Sequence, residues 1–163
     1  MTTRISRDFS FQAGIHVDDA FHMNMYEISL AIGVETENIR EQNIAMERIN
    51  YYFDACLDSC IFVQETEKKA IERYSAAGLQ VCTLPAEPYD QMVNVMLFLK
   101  LNAICEGRLE ITDMSLSSAL SSGVSYMYDS ECAVGPFHPK GWWCSSVASI
   151  TGAAQQNKKD KIV

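Results

Sequence analysis

The stretch FSFQAGIHV, residues 9–17, followed after a short break by FHMNMYEISLAIGV, residues 21–34, decides the fold of this chain. The first segment alternates apolar residues with polar or small ones, which is the period-2 pattern of a half-buried β-strand. The second segment alternates over a longer span, with most of its large aliphatic residues on one parity. Asp18 and Asp19 lie between the two and favour a turn. Together the segments predict a long antiparallel hairpin.

The chain after the hairpin changes to a helical period. Asn38, with Glu41 three residues later, forms a capping-box-like start, and one apolar stripe continues from there to Cys60. The later elements are predicted as a helix over 65–77, an extended segment over 81–84, a helix over 89–105, and strands over 109–116 and 124–128. The helix over 89–105 is apolar on nearly every side, so we expect it to be buried on two faces. Strands separated by helices predict an α+β domain with an antiparallel sheet and helices on one face.

Composition restricts the class of protein. Hydrophobic residues make up 48% and charged residues 21% of the 163 residues, as in an ordinary globular chain of one domain. The formal net charge of −8 argues against binding to nucleic acid or to an anionic membrane. The first residues lack the apolar run of a signal peptide, so we expect a cytoplasmic protein whose six cysteines are reduced. We expect one domain over residues 1–134 and a partly flexible C-terminal extension over 135–163.

The motifs and their order resemble the 6-pyruvoyl-tetrahydropterin synthase and 6-carboxytetrahydropterin synthase family. FSFQAGI (9–15) is similar to the family's F-x-F-x-A-A-H, and HMNMY (22–26) is similar to its H-x-H-x-Y. LDS (57–59) lies where the family has Leu-Asp-His, and EPYD (87–90) lies near its Pro-Thr-x-Glu-Asn. The resemblance implies the tunnelling fold: a four-stranded antiparallel sheet, built as hairpin, helices and hairpin, with two long helices packed on one face. It also implies a homo-oligomer, either a trimer or a hexamer.

The same resemblance implies that the zinc site of the family is dismantled. Family members hold zinc with three histidines, and the corresponding positions here carry Ile15, His22 and Asn24. Neutral imidazole suits a tetrahedral zinc with one open position, whereas an isoleucine has no donor atom. The resemblance therefore indicates a degenerate member that binds no metal or other cofactor and has no catalytic residues of its own.

Other functional positions of the family are replaced as well. The family's cysteine corresponds to Asp18, and its relay histidine to Ser59. Its ring-anchoring glutamate corresponds to Ser117 or Ser118. A small heterocyclic ligand would then meet a site lined by the retained positions, which are His22, Asn24, Tyr26, Asp90, Ser117 and Ser118. Capping and the helix dipole also explain Asp90 at a helix start.

Several residues have a simpler interpretation beside a functional one. A strand bulge would turn His16 inward, where it and His22 are weak candidates for a rearranged metal site, but we expect His16 on the solvent face of its strand. His22 and Tyr26 share a parity with aliphatic residues, which predicts a hydrogen-bonded core histidine. Cys56 and Cys60 lie on the apolar stripe of the first helix, where cysteine behaves as a small hydrophobic residue rather than a ligand.

The C-terminal segment adds one more alternative. Cys132, His138 and Cys144 match no zinc-ligand spacing. Trp142 and Trp143 are costly to leave in water, so they either fold back onto the domain or mark a docking surface.

The sequence supports three hypotheses about function. The first is a degenerate pterin-synthase-like protein that has no zinc-dependent lyase activity and binds a pterin- or purine-like ligand at a subunit interface. The second is an active enzyme, a carbon-oxygen lyase of the pterin synthase type, with a rearranged metal site. The third is an oligomeric interaction module that docks through its Trp142–Trp143 segment.

Overall fold

Two fifteen-residue strands form the centre of the fold. The computed structural model describes residues 3–34 and 37–137, and within these ranges the strands are arranged as one six-stranded sheet in the order β4-β3-β1-β2-β5-β6. The elements are β1 (Thr3–Val17), β2 (Ala20–Val34), α1 (Ile39–Tyr51), a π-helical stretch (Tyr52–Leu57), β3 (Ile61–Gln64), α2 (Lys68–Ala76), β4 (Val81–Leu84), α3 (Asp90–Cys105), β5 (Leu109–Ser118), β6 (Ser125–Asp129) and a 3-10 turn (Gly135–Phe137). The predicted α+β class is confirmed.

The predicted hairpin is confirmed, and its pairing is continuous. Thr3 pairs with Val34 at one end and Val17 with Ala20 at the other, with no shift of register between them. Asp18 and Asp19 make the two-residue turn with φ of 52° and 54°. A two-residue turn with both φ values positive matches the twist of the strands that it joins, and Asp tolerates this conformation better than most residues.

The prediction of a four-stranded antiparallel sheet is wrong, because β3 and β4 extend the sheet beyond β1. β3 pairs with β1 in parallel, and β4 pairs with β3 in parallel. The helical stripe that predicted one helix through Cys60 ends earlier, in the π-helical stretch that finishes at Leu57. Ser59, at φ 65°, then reverses the chain, and the Gly14 amide donates to the Cys60 carbonyl at 2.8 Å to begin the new pairing.

The two long helices pack on one face of the sheet. Ala45 and Ile49 of α1 and ten of the sixteen residues of α3 are buried, which confirms that α3 is enclosed on more than one side. The side chain of Asn38 accepts hydrogen bonds from the amides of Arg40 and Glu41, as its predicted role of N-cap requires. The main core therefore lies between these two helices and the sheet.

Helix α2 lies on the other face of the sheet, so the expectation that all helices share one face is wrong. Phe62 of β3 belongs to the main core, whereas Ile61 and Val63 form a second cluster with Ala70 and Tyr74 of α2. Since neighbouring residues of a strand point to opposite faces, this second cluster must be opposite α1 and α3. As a result the C-terminal half of β1 is covered on both faces.

None of the helices within residues 3–34 and 37–137 has the length and apolarity that a membrane span requires.

Cys60 is buried in the main core, and Cys56 is partly buried and packs against it, which confirms their predicted place among apolar residues. His138, Trp142, Trp143 and Cys144 lie outside the described residues.

Replacing Phe62 with alanine tests whether β3 is a packed strand. Phe62 is fully buried, with ring contacts at 6.3 Å to Phe11 and 5.7 Å to Tyr26. We expect Phe62→Ala to lower the free energy of unfolding by about 3–5 kcal/mol, because it leaves a cavity in the main core. The measurement is urea unfolding followed by circular dichroism. Phe21→Ala is the matched control, since Phe21 is 45% exposed and its loss should cost about 1 kcal/mol. Equal losses for the two variants would contradict the placement of β3.

Candidate functional site

A group of polar side chains is enclosed where β2, β5 and α3 meet. Asn24 and Tyr26 lie on the core face of β2, and Tyr26 pairs in register with Ser118, the last residue of β5. Asp90 and Asn94 lie on the first turns of α3, four residues apart and therefore on the same helix face. All five side chains are buried. The hairpin register and the start of one helix thus place donors and acceptors together in an otherwise apolar core.

Asp90 and Ser118 form the strongest contact of this group. The Ser118 hydroxyl donates a hydrogen bond to Asp90 Oδ2 at 2.6 Å, and the Asp90 side chain is buried. Asp90 is the first residue of α3, where the helix dipole favours a negative charge. The serine at the end of β5 is therefore not an isolated neutral acceptor, because it is bonded to a carboxylate from another element.

Asn24 uses its carbonyl oxygen but not its amide nitrogen. Asn24 Oδ1 accepts from the amide of Met25 at 3.0 Å and from the amide of Leu120 at 3.1 Å, which ties the loop after β5 to β2. Asn24 Nδ2 is buried and makes no hydrogen bond of good geometry. The same amide lowers the pKa of the Tyr26 phenol through a weak side-chain hydrogen bond, so these two polar groups lie next to each other.

Tyr26 places an unpartnered hydroxyl in the same region. Its ring stacks on Phe11 at 4.9 Å and meets Phe62 edge-on, so the side chain cannot turn away. The hydroxyl is buried and makes no hydrogen bond of good geometry. Burial raises the pKa of Tyr26 strongly; a weak side-chain hydrogen bond from the Asn24 amide lowers it, and the Asp90 carboxylate raises it further. The hydroxyl therefore stays protonated at physiological pH and is able to donate.

Asn94 is the member that the sequence reasoning missed. Asn94 Nδ2 donates to the carbonyl of Tyr126 at 3.0 Å, while Asn94 Oδ1 is buried without a partner. A signal was present, because an asparagine four residues after Asp90 interrupts an apolar helix on the same face. Asn94 therefore connects α3 to β6 through its amide nitrogen, while its oxygen is left without a partner of good geometry, as are Asn24 Nδ2 and Tyr26 OH.

The three positions that the sequence resemblance matches to zinc ligands carry side chains that do not fit a zinc ion. Ile15 is buried and offers no donor atom. The carbonyl oxygen of Asn24 already accepts two backbone hydrogen bonds. His22 is exposed, so the prediction that it is a core histidine is wrong. It shares the parity of Tyr26 but lies near the hairpin turn, at the edge of the main core.

His16 lies on the other side of the sheet from His22. Contrary to expectation it is buried, because α2 covers this face of β1. Its Nδ1 is 2.8 Å from the Tyr74 hydroxyl, and its Nε2 is 3.7 Å from Asp19. His16 pairs with Phe21 and Ile15 pairs with His22, with no bulge to turn His16 round. The two histidines therefore do not converge. Within residues 3–34 and 37–137, no three His, Cys, Asp or Glu side chains are arranged to hold a metal ion.

Ser117 does not join the enclosed group. It pairs with Glu27 on the open face of the sheet, opposite to the face that carries Ser118. Of the six ligand-site residues predicted from sequence, Asn24, Tyr26, Asp90 and Ser118 come together, whereas His22 is exposed and Ser117 faces away.

Comparison with known proteins finds chains of similar fold. No protein-family model and no curated protein sequence matches the chain. An uncharacterized protein from Wolinella succinogenes is similar in structure, with a TM-score of 0.55 and 11% identity over 79% of this chain and 98% of that one. Structures of Plasmodium vivax 6-pyruvoyltetrahydropterin synthase are also similar, with 10% identity over 77% of this chain. Those comparisons cover 96% and 97% of the Plasmodium chains, with TM-scores of 0.49 and 0.48. At 11% identity the likeness to the Wolinella protein shows a shared fold alone.

Replacing Tyr26 with phenylalanine tests whether its hydroxyl is unsatisfied in the free protein. A buried hydroxyl without a partner is destabilising, so we expect Tyr26→Phe to raise the free energy of unfolding by about 1 kcal/mol. Tyr128→Phe is the matched control, because the buried Tyr128 donates its hydroxyl to the Cys132 carbonyl at 3.3 Å. That variant should lose about 1 kcal/mol. If both variants are destabilised equally in urea unfolding, the Tyr26 hydroxyl has a partner in the free protein.

Proposed function

We propose that this chain is a cytoplasmic, degenerate pterin-synthase-like protein of the tunnelling fold, without zinc-dependent lyase activity, that binds a small pterin- or purine-like ligand at a subunit interface. The observation that supports ligand binding is the set of three buried polar atoms that lack a hydrogen bond of good geometry: Asn24 Nδ2, Tyr26 OH and Asn94 Oδ1. The location at a subunit interface rests on the family resemblance. The order of the sequence motifs over residues 9–128 supports the family relationship.

The energetic argument rests on how rarely such atoms are left unpaired. More than about 90% of buried polar groups in native proteins have a hydrogen-bond partner, and an unpaired one costs about 1–3 kcal/mol. Asn24 Nδ2, Tyr26 OH and Asn94 Oδ1 are three of the five such atoms among the described residues, the others being His16 Nε2 and Tyr52 OH, and each is destabilising in the free protein. A ligand that satisfies them recovers this free energy on binding. The edge of a pterin or purine ring, which alternates donors and acceptors, suits such a set.

The chemistry of the site supports binding rather than lyase catalysis. Only one of the three zinc positions, His22, carries an imidazole, and it is exposed. No cysteine stands at Asp18, where the family has its own. The residues that remain enclosed can hold a ring by hydrogen bonds, and burial keeps the Tyr26 phenol protonated so that it does not act as a base.

Two alternatives differ in what they require. An active carbon-oxygen lyase of the pterin synthase type requires a bound metal, with His16 and His22 as its weak candidate ligands. These two side chains lie on opposite faces of the hairpin, which disfavours the active enzyme.

An interaction module would depend on Trp142 and Trp143, which lie outside the described residues. Deletion of residues 138–163, followed by a test of assembly, distinguishes this alternative from the other two.

The Tyr26→Phe and Tyr128→Phe variants also test ligand binding. If a ring ligand bonds the Tyr26 hydroxyl, we expect Tyr26→Phe to bind it about 2- to 10-fold more weakly, the range of one neutral hydrogen bond. Tyr128→Phe should bind as the wild type does, because its hydroxyl is already paired. The measurement is calorimetric titration with a panel of pterins and aminopurines. Gain of stability with loss of affinity in Tyr26→Phe, and the reverse in Tyr128→Phe, is the expected signature. No binding by any member of the panel would overturn the proposal.

Metal content and mass of one preparation test the remaining parts. We expect purified protein to carry no stoichiometric zinc and its unfolding to be insensitive to chelators, because the donor set is incomplete.

We expect a trimer or a hexamer by light scattering, because assembly pairs the exposed edges of β4 and β6. One zinc per chain that is lost in His22→Ala would favour the active enzyme. A monomer at micromolar concentration would count against the assembly.

A further inference from the structure

A groove of about 440 Å³ crosses four strands on the open face of the sheet, which is the face opposite the main core. Small side chains from β1, β2 and β5 form its floor: Ser6, Ser29, Ala31 and Ser115. Their positions are in register, because Ser6 pairs with Ala31 and Ser29 pairs with Ser115. Met127 of β6 pairs with Ser115, lines one side of the groove and is 81% exposed. The low floor beside a long apolar side chain leaves room for a bulky apolar group.

Carboxylates flank this groove. Asp113 and Asp129 line it, and Asp8 lies beside its floor, where it accepts a hydrogen bond from the Ser29 hydroxyl at 2.7 Å. Residues 1–137 contain nine Lys and Arg against twenty Asp and Glu, which gives a formal charge of −11. Two copies of so acidic a face repel each other, so the groove does not suit the same face of a second copy. Its occupant should bring positive charge as well as apolar surface.

The rest of the chain has both properties. Residues 138–163 contain four lysines against one aspartate, a formal charge of +3, which together with −11 makes up the net charge of −8. They also contain Trp142 and Trp143, the two tryptophans of the chain. A tryptophan side chain buries about 150–250 Å² when it is covered, so two adjacent ones gain substantially from an apolar site.

The last described residues bring this segment to the groove. Cys132 lines the groove, whereas Phe137, five residues later, is buried in the main core on the other face of the sheet. The chain therefore passes round the β6 edge of the sheet within five residues. Trp142 is five residues beyond Phe137, so an equal length of chain, up to about 17 Å when extended, is sufficient to return to the groove.

We propose that residues 138–163 fold back across the open face of the same chain and place Trp142 and Trp143 in this groove. The indoles cover the small floor and contact Met127, since a methionine sulfur packs favourably against aromatic rings. The serine hydroxyls and carboxylates of the groove are acceptors for the indole N–H groups. Lys158, Lys159 and Lys161 then lie near the acidic side chains that flank the groove.

The segment thus acts as a strap on its own domain rather than as a docking element for another protein. This inference is independent of the proposed ligand site, because Asn24, Tyr26 and Ser118 lie on the core face of the sheet. The strap covers a face and leaves the edges of β4 and β6 free for the proposed assembly.

Tryptophan fluorescence of the full chain tests the strap, because both tryptophans lie in the segment and the emission reports on nothing else. We expect native protein to emit at shorter wavelength than urea-unfolded protein, with a several-fold lower quenching constant for acrylamide. The shielding should be unchanged on dilution, because the contact is within one chain. Added salt should weaken it, because attraction between opposite charges contributes.

A matched pair of arginine substitutions locates the contact. Ser115→Arg places a long cationic side chain on the floor of the groove, and we expect it to raise the quenching constant to that of unfolded protein. Ser10→Arg is the control, because Ser10 is exposed on the same face, pairs with Glu27 and does not line the groove. It should leave emission and quenching unchanged. Circular dichroism establishes that both variants are folded.

A second readout comes from the groove itself and does not depend on the folding of Ser115→Arg. Cys132 is exposed, whereas the other cysteines among residues 3–34 and 37–137 are buried or partly buried. In a Cys144→Ser background, we expect replacement of both tryptophans, Trp142→Ser and Trp143→Ser, to accelerate alkylation of Cys132 by iodoacetamide several-fold. The reason is that the indoles no longer cover the thiol.

Four results would overturn the inference. One is a quenching constant of the native chain equal to that of unfolded protein. Another is shielding that survives Ser115→Arg in a folded variant, because the indoles would then be covered elsewhere. A third is shielding that is lost on dilution, which would assign the groove to the segment of a second copy. The last is an equal rate of Cys132 alkylation with and without the two tryptophans.

Discussion

The uninterrupted pairing of β1 with β2 fixes the position of nearly everything else in this protein. Fifteen residue pairs run from Thr3–Val34 to Val17–Ala20 without a bulge. Because side chains alternate between the faces of a strand, a slip of one residue would exchange the buried and exposed sets of both strands. The register puts Tyr26 beside Phe11 and Asn24 beside Ala13 on the core face. It also separates His16 from His22, which is why no histidine pair forms on either face.

The pairing of β2 with β5 carries the same constraint to the candidate site. Tyr26 pairs with Ser118, so the end of β5 lies next to the start of α3. There the Ser118 hydroxyl is hydrogen-bonded to Asp90. α3 in turn packs its apolar residues between the sheet and α1, and this packing positions its first turn. A site whose residues are ordered before binding loses less entropy when a ligand binds. In the protein without a ligand, these buried polar groups lower the stability of the fold, since a fully apolar core would leave fewer unsatisfied atoms.

The π-helical stretch at Tyr52–Leu57 explains why the sheet is wider than the sequence indicated. The apolar stripe of α1 continues to Cys60 in the sequence, and nothing in its period marks the end of the helix. Ser59 reverses the chain with a positive φ, and the four residues after Cys60 become a strand because β1 offers a free edge to pair with. A four-residue strand has too few positions for alternation to be recognised, and because both of its faces are buried, its first three residues are all apolar. The same covering of both faces buries His16, which the alternation of β1 alone would expose.

Local sequence determined the elements whose pattern is long. The hairpin, the Asn38 cap, the two-sided burial of α3 and the strand β5 all follow from period and capping residues, because each depends on neighbours within a few positions. The identity of the residues also determined that position 15 offers no metal ligand, since the isoleucine side chain has no donor atom in any fold. The tertiary structure alone decided which polar groups meet. Asp90 and Ser118 are 28 residues apart, and Asn24 and Leu120 are 96 apart, so their contacts depend on strand register and helix placement rather than on local pattern. Whether a side chain is buried without a partner is a property of the whole packed core, and no stretch of the sequence states it.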